Sequence, residues 1–591
     1  MTSREISNKI KFLLTTKDFW VYTILVLLIV LHSYLIIKTF VFDDIGNIRA
    51  AVAGYGDIPF HLTQVTKFAF GSRFSLDEPL FTGENLRYSF LINLLSGLLL
   101  KITGWWHFSF HLPSLVFAST STLLIFVIYK KLLRQSWLAL LAFLIFCLGS
   151  GFGSIYQITK YNRDSANIGV SFTEYLVQKQ ASTISRWDAK YPEQNVNFGG
   201  PLSLVLLHQR SFFFGLFLFS ISLFYLTRLK KHAHWDWLPI AIAYGLSPLA
   251  HLHSFIVLSI ALGIYGLLLL SKKKVVLFKK LLLGIVAGLI IAGPQIIYLV
   301  WSGREINFVG GNSFMGFHWG WMTQPTIGSI QFAGDWSQNF GKNLWAVIKY
   351  NWINFGLLLP VFLLSLGWVK NKGYRQIYPV GFFALAGLIL FTIAQLIRFQ
   401  PWDYDNNKIF VYYQLFAAPV AVSFLNFWAK SITRRYLTIG ILGSFLLISI
   451  HSGIIDLLPM AMVAINQMPI IFSKNAVDLS NFVRLKVSPS DQILTTSTHL
   501  NPVDSLAGRP VLVGYPGWLW TKGLSYSERE NEIRKIYRDP DNNNVAIEKY
   551  KIKYVLLDPT ATYDWQASRQ KFDNIFIRTF RSGPYILYRI P

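Results

Sequence analysis

Long apolar runs alternate with short polar segments along most of this chain. A run of about twenty apolar residues is long enough to cross a hydrocarbon layer of about 30 Å as a helix. Such runs predict about eleven crossings, over residues 19–40, 107–129, 135–152, 203–228, 237–250, 253–271, 280–301, 346–369, 376–397, 409–429 and 436–456. The pattern therefore predicts a polytopic α-helical membrane protein.

The composition agrees with that interpretation. Hydrophobic residues make up 53% of the 591 positions and charged residues only 14%, whereas a soluble chain carries about a quarter charged residues. The single cysteine, Cys147, lies inside an apolar run. No intrachain disulfide, cysteine-based zinc site or thiol nucleophile is therefore expected.

The net charge of +25 comes from short basic clusters between the apolar runs. They include Lys130/Lys131/Arg134, Arg228/Lys230/Lys231, Lys272–Lys274, Lys370/Lys372/Arg375 and Lys430/Arg434/Arg435. Basic residues between spans mark the cytoplasmic side of a membrane protein, so this charge does not indicate a nucleic-acid partner. The sequence predicts a multi-pass plasma-membrane protein whose N-terminus, residues 1–18, is cytoplasmic, and whose first run is a retained signal anchor.

One apolar segment does not fit a simple alternation. Residues 88–103 are apolar but short, and a crossing there would place every later basic cluster outside. We therefore expect this segment to form an interfacial helix in the outer leaflet. The transmembrane module then covers 19–456, and its outer loops are 41–106, 153–202, 302–345 and 398–408.

The C-terminal part changes character and predicts a small extracytoplasmic α/β domain over 457–591, with its core from about residue 474. Helices are expected at 475–486, Glu528–Tyr537 and 543–551. Strands are expected at Gln492–Thr496, Val511–Gly514 and Lys553–Asp558, with a terminal hairpin over 574–589. Short strands that alternate with helices suggest a small sheet covered by helices.

The first outer loop carries the best candidate for a catalytic base. Asp57 lies in Gly56-Asp57-Ile-Pro-Phe-His61, between a glycine and a proline that fix the backbone and directly before an amphipathic stretch. A base directed into a groove needs such a fixed position. Asp43 and Asp44, at the end of the first run, are the alternatives. His61 is a candidate partner for a phosphate or a divalent ion.

Further candidates for binding a phosphate or a sugar lie at the outer ends of later runs. Arg210 follows His208-Gln209, and the loop from Arg398 to Lys408 contains Trp402, Asp403 and Asp405. Arg398 and Lys408 flank that loop and are expected to bind phosphate, while aromatic and carboxylate groups suit a sugar. The histidine pairs His107/His111 and His251/His253 are expected to be packing residues.

The arrangement resembles the GT-C superfamily of integral-membrane glycosyltransferases, in particular the protein mannosyltransferase and aminoarabinose transferase group. The shared features are a signal-anchor span, an acidic first outer loop with juxtamembrane helices, a multi-span bundle and an extracytoplasmic α/β tail. By position the family's catalytic acid corresponds to Asp57, with Asp43 or Asp44 as runner-up. The sequence departs from the family in lacking an Asp-Glu pair at Asp57 and a Pro-Pro pair before the following helix, where Arg87-Tyr88-Ser89 stands.

The resemblance implies transfer of a sugar from a polyprenyl-phosphate-linked donor in the membrane to a glycan, lipid or protein acceptor on the non-cytoplasmic face. It implies an inverting displacement with one general base, with or without a divalent metal ion. Trp402-Asp-Tyr404 also resembles part of the Trp-Trp-Asp-Tyr-Gly motif of oligosaccharyltransferases. That motif belongs to their soluble domain, so its function is not carried over to this inter-span loop.

Two other classes of function are weighed against the enzyme. A transporter usually shows repeats, broken spans and charges within its spans, whereas here the polar residues concentrate on one side. A non-catalytic membrane scaffold of the same fold is the second alternative. The asymmetry of polar residues favours the glycosyltransferase.

Overall fold

The computed structural model describes residues 18–51, 54–165, 169–178, 196–207, 209–302, 315–323, 330, 332–371, 379–432 and 435–591. Six helices there are long and apolar enough to cross a membrane: Phe19–Lys38, Trp106–Leu133, Leu252–Ser271, Val275–Ser302, Asn407–Ile432 and Arg435–Met462. Four shorter apolar helices accompany them: Leu91–Thr103, Arg210–Leu226, Leu238–Ala250 and Val380–Leu396. The predicted polytopic helical class is confirmed, while the number of eleven crossings stays a prediction.

Two of the predicted crossings are bent rather than straight. Helices Ser136–Leu148 and Gly153–Ser165 meet at 52°, and Trp336–Phe355 and Leu358–Asn371 meet at 102°. The crossing expected over 346–369 therefore corresponds to a bent helix pair, and whether it crosses stays a prediction. The second break falls at Gly356, whose φ of +55° suits glycine and where an added Cβ would lie 2.9 Å from the Ser150 carbonyl oxygen. Close packing between the two broken pairs therefore accompanies the bend.

The bundle is organised around helix Asn407–Ile432, which is buried along most of its length. It packs against Val380–Leu396, Ser136–Leu148 and Leu358–Asn371. Gln414 on this helix donates to the carbonyl oxygens of Ile145 and Gly149, both at 2.7 Å. These bonds add a side-chain donor to carbonyl groups at the end of helix Ser136–Leu148 and just after it.

The first outer loop folds into a hairpin and two packed helices. Strands Phe40–Phe42 and Ile48–Ala50 pair antiparallel, and helix Ile58–Phe70 packs on Leu91–Thr103. At 13 residues, the second helix is about 20 Å long, shorter than the hydrocarbon layer. Its length agrees with the interfacial helix predicted for 88–103.

The tail forms a four-stranded sheet covered by helices. In spatial order the strands are Gln492–Leu494, Ile552–Leu557, Tyr585–Arg589 and Ile577–Ser582; the first pair is parallel and the others are antiparallel. Its helical segments are Ile465–Gln467, Lys474–Lys486, Pro502–Ser505, Pro516–Thr521, Ser527–Arg538, Asn544–Lys549, Thr560–Asp564 and Arg569–Ile575. The predicted helices and terminal hairpin are present, and the last transmembrane helix continues to Met462, past the predicted boundary at 457.

The predicted strand Val511–Gly514 is wrong, because this segment bonds to the first outer loop rather than to the sheet. The Val511 amide donates to the Pro79 carbonyl at 2.9 Å, and the Gly514 amide donates to the Leu80 carbonyl at 2.7 Å. Strand Ile470–Phe472 likewise pairs with Ile48–Ala50. Loop and tail thus share backbone hydrogen bonds and one apolar core.

Gly508 marks the closest approach of the tail to helix Ile58–Phe70. Its φ is +67°, and a Cβ there would lie 2.4 Å from the Thr66 carbonyl oxygen. We expect Gly508→Ala to lower the free energy of unfolding by about 2–5 kcal/mol, since backbone strain and overpacking add. Gly83→Ala is the matched control, because Gly83 has φ +96° but nothing within 4 Å. In thermal unfolding, Gly508→Ala should have a lower midpoint temperature than Gly83→Ala. Equal midpoints for the two variants would contradict the close approach of Gly508 to Thr66.

Candidate functional site

Asp57 stands directly before helix Ile58–Phe70, at the end of the turn that begins at Gly54. Its amide donates to the Gly54 carbonyl at 3.1 Å, and Pro59 lies in the first helical turn. The carboxylate makes no capping bond to the helix; instead Gln209 Nε2 donates to Asp57 Oδ2 at 2.7 Å. The half-buried carboxylate is therefore oriented by an uncharged donor and by the positive end of the helix dipole.

Tyr88 connects Asp57 to the distant loop 398–408. Burial raises the pKa of the Tyr88 phenol, and the negative charges of Asp57 and Asp405 raise that pKa further. The Ser211 hydroxyl donates to the Tyr88 oxygen at 3.2 Å. Asp57 and Asp405 therefore both lie within electrostatic reach of the Tyr88 phenol.

Lys408 supplies a cation at the same place. Its ammonium donates to Asp405 Oδ1 at 3.0 Å, and the two side chains are only 11% and 16% exposed. The pair forms where the turn Asp403–Asn406 enters helix Asn407–Ile432. His251 and His253 lie within electrostatic reach of Lys408. The predicted residues Asp405 and Lys408 thus form an ion pair, and Asp57 shares with Asp405 an electrostatic effect on Tyr88.

The other predicted residues of loop 398–408 form a neighbouring cluster. The Asp403 side chain is buried, and its backbone carbonyl accepts from Trp321 Nε1 at 2.8 Å. Trp402 packs on Tyr404 with ring centroids 5.3 Å apart. Arg398 lies in the two-residue strand that pairs with Gly316–Phe317, within electrostatic reach of His318. Arg398 and Asp403 therefore contact the segment around Trp321 and His318.

His61 and Arg210 belong to a buried polar network beneath the site. Asn93 joins them: its Nδ2 contacts His61 Nδ1 at 3.1 Å, and its Oδ1 accepts from Arg210 Nη1 at 3.0 Å. Arg210 is 2% exposed and also donates to uncharged oxygens of Ser96, Phe110 and Ser114. The prediction that these two residues bind the donor fits this burial poorly, and we assign them to the frame of the site.

The alternative bases occupy a turn of the first hairpin. Asp43 accepts from the Asn47 side chain at 2.9 Å and from Arg49 Nε at 2.7 Å, and the Asn47 bond, with that of Arg49, holds its pKa well below the usual range. Asp44 is exposed at the same turn. Within the described residues no group of three His, Cys, Asp or Glu side chains could hold a metal ion.

An aromatic platform built from the tail and the first outer loop lies beside Asp57; we define it as Tyr55, His499, Tyr515 and Trp518. The His499 ring stacks on Tyr55 at 5.2 Å and contacts Tyr515 and Trp518 at 5.0 and 4.9 Å. His499 Nε2 also lies 3.2 Å from the carbonyl oxygen of Gly56, next to Asp57. The aromatic run 514–520 was visible in the sequence, but its position at this site was not.

Asp504 is a buried acid that contacts helix Ile58–Phe70, and it should make the stability of the protein depend on pH. Asp504 Oδ1 accepts from Ser505 Oγ at 2.7 Å and Thr63 Oγ1 at 3.4 Å, and burial raises its pKa from 3.8 to about 7. The folded state thus favours the neutral acid. Its contribution to stability is complete below about pH 4 and is lost as the pH rises through 7, by up to about 4 kcal/mol.

We expect Asp504→Asn to unfold at a higher temperature than the parent at pH 8 and to exceed it by a smaller margin at pH 5, where the parent has lost less of this contribution. Asn keeps the acceptor oxygen but cannot ionise. Asp541→Asn, at an exposed position, is the control and should not change the pH profile. A thermal unfolding series between pH 5 and 8 makes the comparison; parallel profiles for parent and Asp504→Asn would contradict the prediction.

Comparison with known proteins identifies the fold. No family model and no curated protein matches the chain. The oligosaccharyltransferase of Archaeoglobus fulgidus, in the apo form, matches with 11% identity over 93% of this chain and 70% of its own, at a TM-score of 0.51. ArnT of Cupriavidus metallidurans, bound to undecaprenyl phosphate, matches with 10% identity over 97% and 98%, at a TM-score of 0.47. The chain has a GT-C fold, as the sequence resemblance implied.

Proposed function

We propose that this chain is a membrane glycosyltransferase that moves a sugar from a polyprenyl-phosphate-linked donor to an acceptor hydroxyl, with Asp57 as general base. The observations that carry the proposal are the ion pair of Lys408 with Asp405 and the electrostatic reach of both Asp57 and Asp405 to the Tyr88 phenol. A base and a cation in one partly buried site are what displacement at a phosphorylated carbon requires. The GT-C fold supports the assignment.

The reaction we propose is a single displacement with inversion. The acceptor oxygen bonds to the anomeric carbon while the bond from that carbon to the phosphate oxygen breaks. The acceptor proton passes to the Asp57 carboxylate, and the lipid phosphate leaves with the electron pair of the broken bond. Gln209 Nε2 holds one oxygen of this carboxylate, and we propose that the carboxylate faces the acceptor hydroxyl.

Lys408 is proposed to stabilise the departing phosphate. A lysine ammonium has three N–H donors, and one of them is directed at Asp405. The ion pair therefore fixes the ammonium in place while other donors remain for phosphate oxygens. Arg398, Trp402 and Asp403 line the neighbouring part of the loop and are proposed to contact the donor sugar.

We propose that the site faces the non-cytoplasmic side. Basic turns meet at one end of the bundle, where Lys131 contacts the Thr227 carbonyl and Lys280 contacts Asp236. The site occupies the other end of the same helices, because helix Arg210–Leu226 runs from the site to Thr227. Basic residues favour the cytoplasmic face, which leaves the site and the tail outside.

The test is donor cleavage by the full chain in lipid nanodiscs supplied with undecaprenyl-phosphate-linked sugars. We expect release of undecaprenyl phosphate from at least one donor. Lys408→Met should raise the donor KM at least tenfold, since a hydrogen bond to a charged group contributes about 1.5–3 kcal/mol. Lys131→Met, at the opposite end, is the control and should leave the KM unchanged.

Two results would contradict the proposal. If no phosphate-linked sugar is cleaved and the donor is fully recovered, the proposed transferase activity is wrong. In sealed vesicles, movement of an intact donor across the bilayer with the glycosyl–phosphate bond unbroken would favour the transporter alternative.

A further inference from the structure

The aromatic platform has faces and polar tips that no part of the described chain uses. Tyr55 is 40% and Tyr515 37% exposed. Among the described residues, no hydrogen bond engages the Tyr55 and Tyr515 hydroxyls or Trp518 Nε1. The rings of Tyr515 and Trp518 meet at 77° and those of Tyr55 and His499 at 26°, so the platform presents surfaces in more than one orientation.

The platform is also uncharged. His499 Nε2 faces the Gly56 carbonyl oxygen, which can only accept, so that nitrogen carries the proton. Burial lowers the pKa of His499 and keeps the ring neutral. The nearby Lys522 ammonium is buried against Glu78 at 2.7 Å. Among the described residues, the platform itself therefore offers no positive charge that would balance an anionic ligand.

The platform is joined to the reacting groups through the chain and through ring contacts. Tyr55 precedes Asp57 by two residues, which limits their Cα separation to about 7.6 Å. Phe60 contacts Trp518 at 5.4 Å and Tyr88 at 4.7 Å. A ligand lying on these rings would thus reach the Asp57 carboxylate with a group at its edge.

We propose that the aromatic platform is the acceptor subsite and that it takes a pyranose ring, so that the acceptor is a carbohydrate hydroxyl. A pyranose has an apolar C–H face that packs on an aromatic ring and hydroxyls at its edge that bond to polar tips. A phospholipid headgroup would bring charge that the platform does not balance. This inference rests on the proposed function and names its acceptor class.

Gly517 offers a way to disturb the platform without removing any of its rings. A Cβ at Gly517 would lie 2.6 Å from the Tyr515 ring. That ring is the end of a rotatable side chain, so Gly517→Ala should move Tyr515 while the fold is kept. Trp518→Leu removes one stacking surface. Tyr563→Leu, at an aromatic that is 81% exposed elsewhere in the tail, is the matched control.

The experiment is saturation-transfer NMR on the full chain in nanodiscs, which detects binding in the millimolar range. The probes are methyl β-glucopyranoside, methyl α-mannopyranoside and methyl β-galactopyranoside, with an Asn-Val-Thr peptide and glycerol phosphate as comparators. We expect ring C–H protons of at least one pyranoside to receive saturation. The signal should fall at least fivefold in Trp518→Leu and at least twofold in Gly517→Ala, and should persist in Tyr563→Leu and Asp57→Asn.

The proposal is overturned if no pyranoside receives saturation, if the signal survives both Trp518→Leu and Gly517→Ala, or if the peptide or glycerol phosphate binds there instead. Its failure can be distinguished from that of the proposed function. Donor cleavage without pyranoside binding would keep the transferase and reject the subsite. Platform-dependent pyranoside binding without cleavage of any donor would keep the subsite and reject the transferase.

Discussion

Replacing Asp57 with Asn should lower kcat for sugar transfer by about 10²–10⁴-fold, the range that a positioned general base contributes. Asn has nearly the same shape and can still accept from Gln209, which donates to Asp57 Oδ2. The acceptor proton, however, would lose its carboxylate. Because the geometry is kept, we expect the donor KM to change little. The measurement is steady-state transfer in nanodiscs with a phosphate-linked donor that the parent protein cleaves.

Two variants separate Asp57 from its alternatives. Asp44→Asn changes an exposed turn residue and should leave kcat within twofold. Asp43→Asn removes the ion pair to Arg49, whose guanidinium also donates to the carbonyls of Asn466 and Met468, so it should lower thermal stability more than kcat. If Asp57→Asn retained the parent rate while Asp43→Asn or Asp44→Asn lost it, the base would have to be reassigned to the hairpin.

Replacing Glu78 with Gln should give the largest loss of stability in the outer half of the molecule. The Glu78 side chain is fully buried and pairs at 2.7 Å with the Lys522 ammonium, which is 6% exposed. Breaking a buried ion pair from one side typically destabilises by about 3–5 kcal/mol, because the remaining charge stays buried. This pair joins the first outer loop to the tail, so the damage should be concentrated at that junction.

Hydrogen exchange can localise the effect of Glu78→Gln. The amides of Thr82, Val511 and Gly514 donate hydrogen bonds across the junction. If the free energy of local opening falls by about 3–5 kcal/mol, their hydrogen exchange should become faster by roughly two to four orders of magnitude. Glu78→Gln combined with Lys522→Met should restore much of the protection, since no unpaired charge remains. Asp478→Asn, which breaks an exposed pair with Lys474, should change exchange by tenfold at most.

Exchange at the junction that is unaltered in Glu78→Gln would show that the ion pair does not hold loop and tail together.

Burial lowers the pKa of Lys522, and Glu78 opposes that shift. In Glu78→Gln the lysine should therefore lose its proton more easily. The Glu78→Gln variant should therefore become less destabilised as the pH rises, whereas a purely steric defect would not depend on pH.

Local pattern was enough to predict most of the helices and the class of the fold. The apolar runs correspond to helices because backbone groups in a membrane must be satisfied within the segment. In the tail, helix Lys474–Lys486 and the hairpin Ile577–Arg589 follow from periodicity and a Gly turn at Gly583. The strand predicted at Val511–Gly514 failed because its bonding partner, the segment from Pro79 to Thr82, lies far away in sequence.

The candidate site was predictable only in part, for the same reason. Asp57 is marked by its backbone context between Gly56 and Pro59. Its partner Gln209 is 152 positions away, and no spacing in the sequence connects them. Arg210 looked like a cation at the outer end of a span, but the fold surrounds it with uncharged acceptors. Tertiary burial decides between such roles, and hydropathy cannot.

The pairing of strand Ile48–Ala50 with Ile470–Phe472 joins two segments that are synthesised far apart in time. Asn47 accepts from the Lys474 amide, 427 positions later. At about 5–20 residues per second, the ribosome reaches that partner roughly 20–85 s after making the loop. The edge of strand Ile48–Ala50 that pairs with Ile470–Phe472 therefore has no partner until the last membrane helix has been synthesised. A nascent chain therefore has its last described membrane helix, Arg435–Met462, before the edge of strand Ile48–Ala50 has its partner.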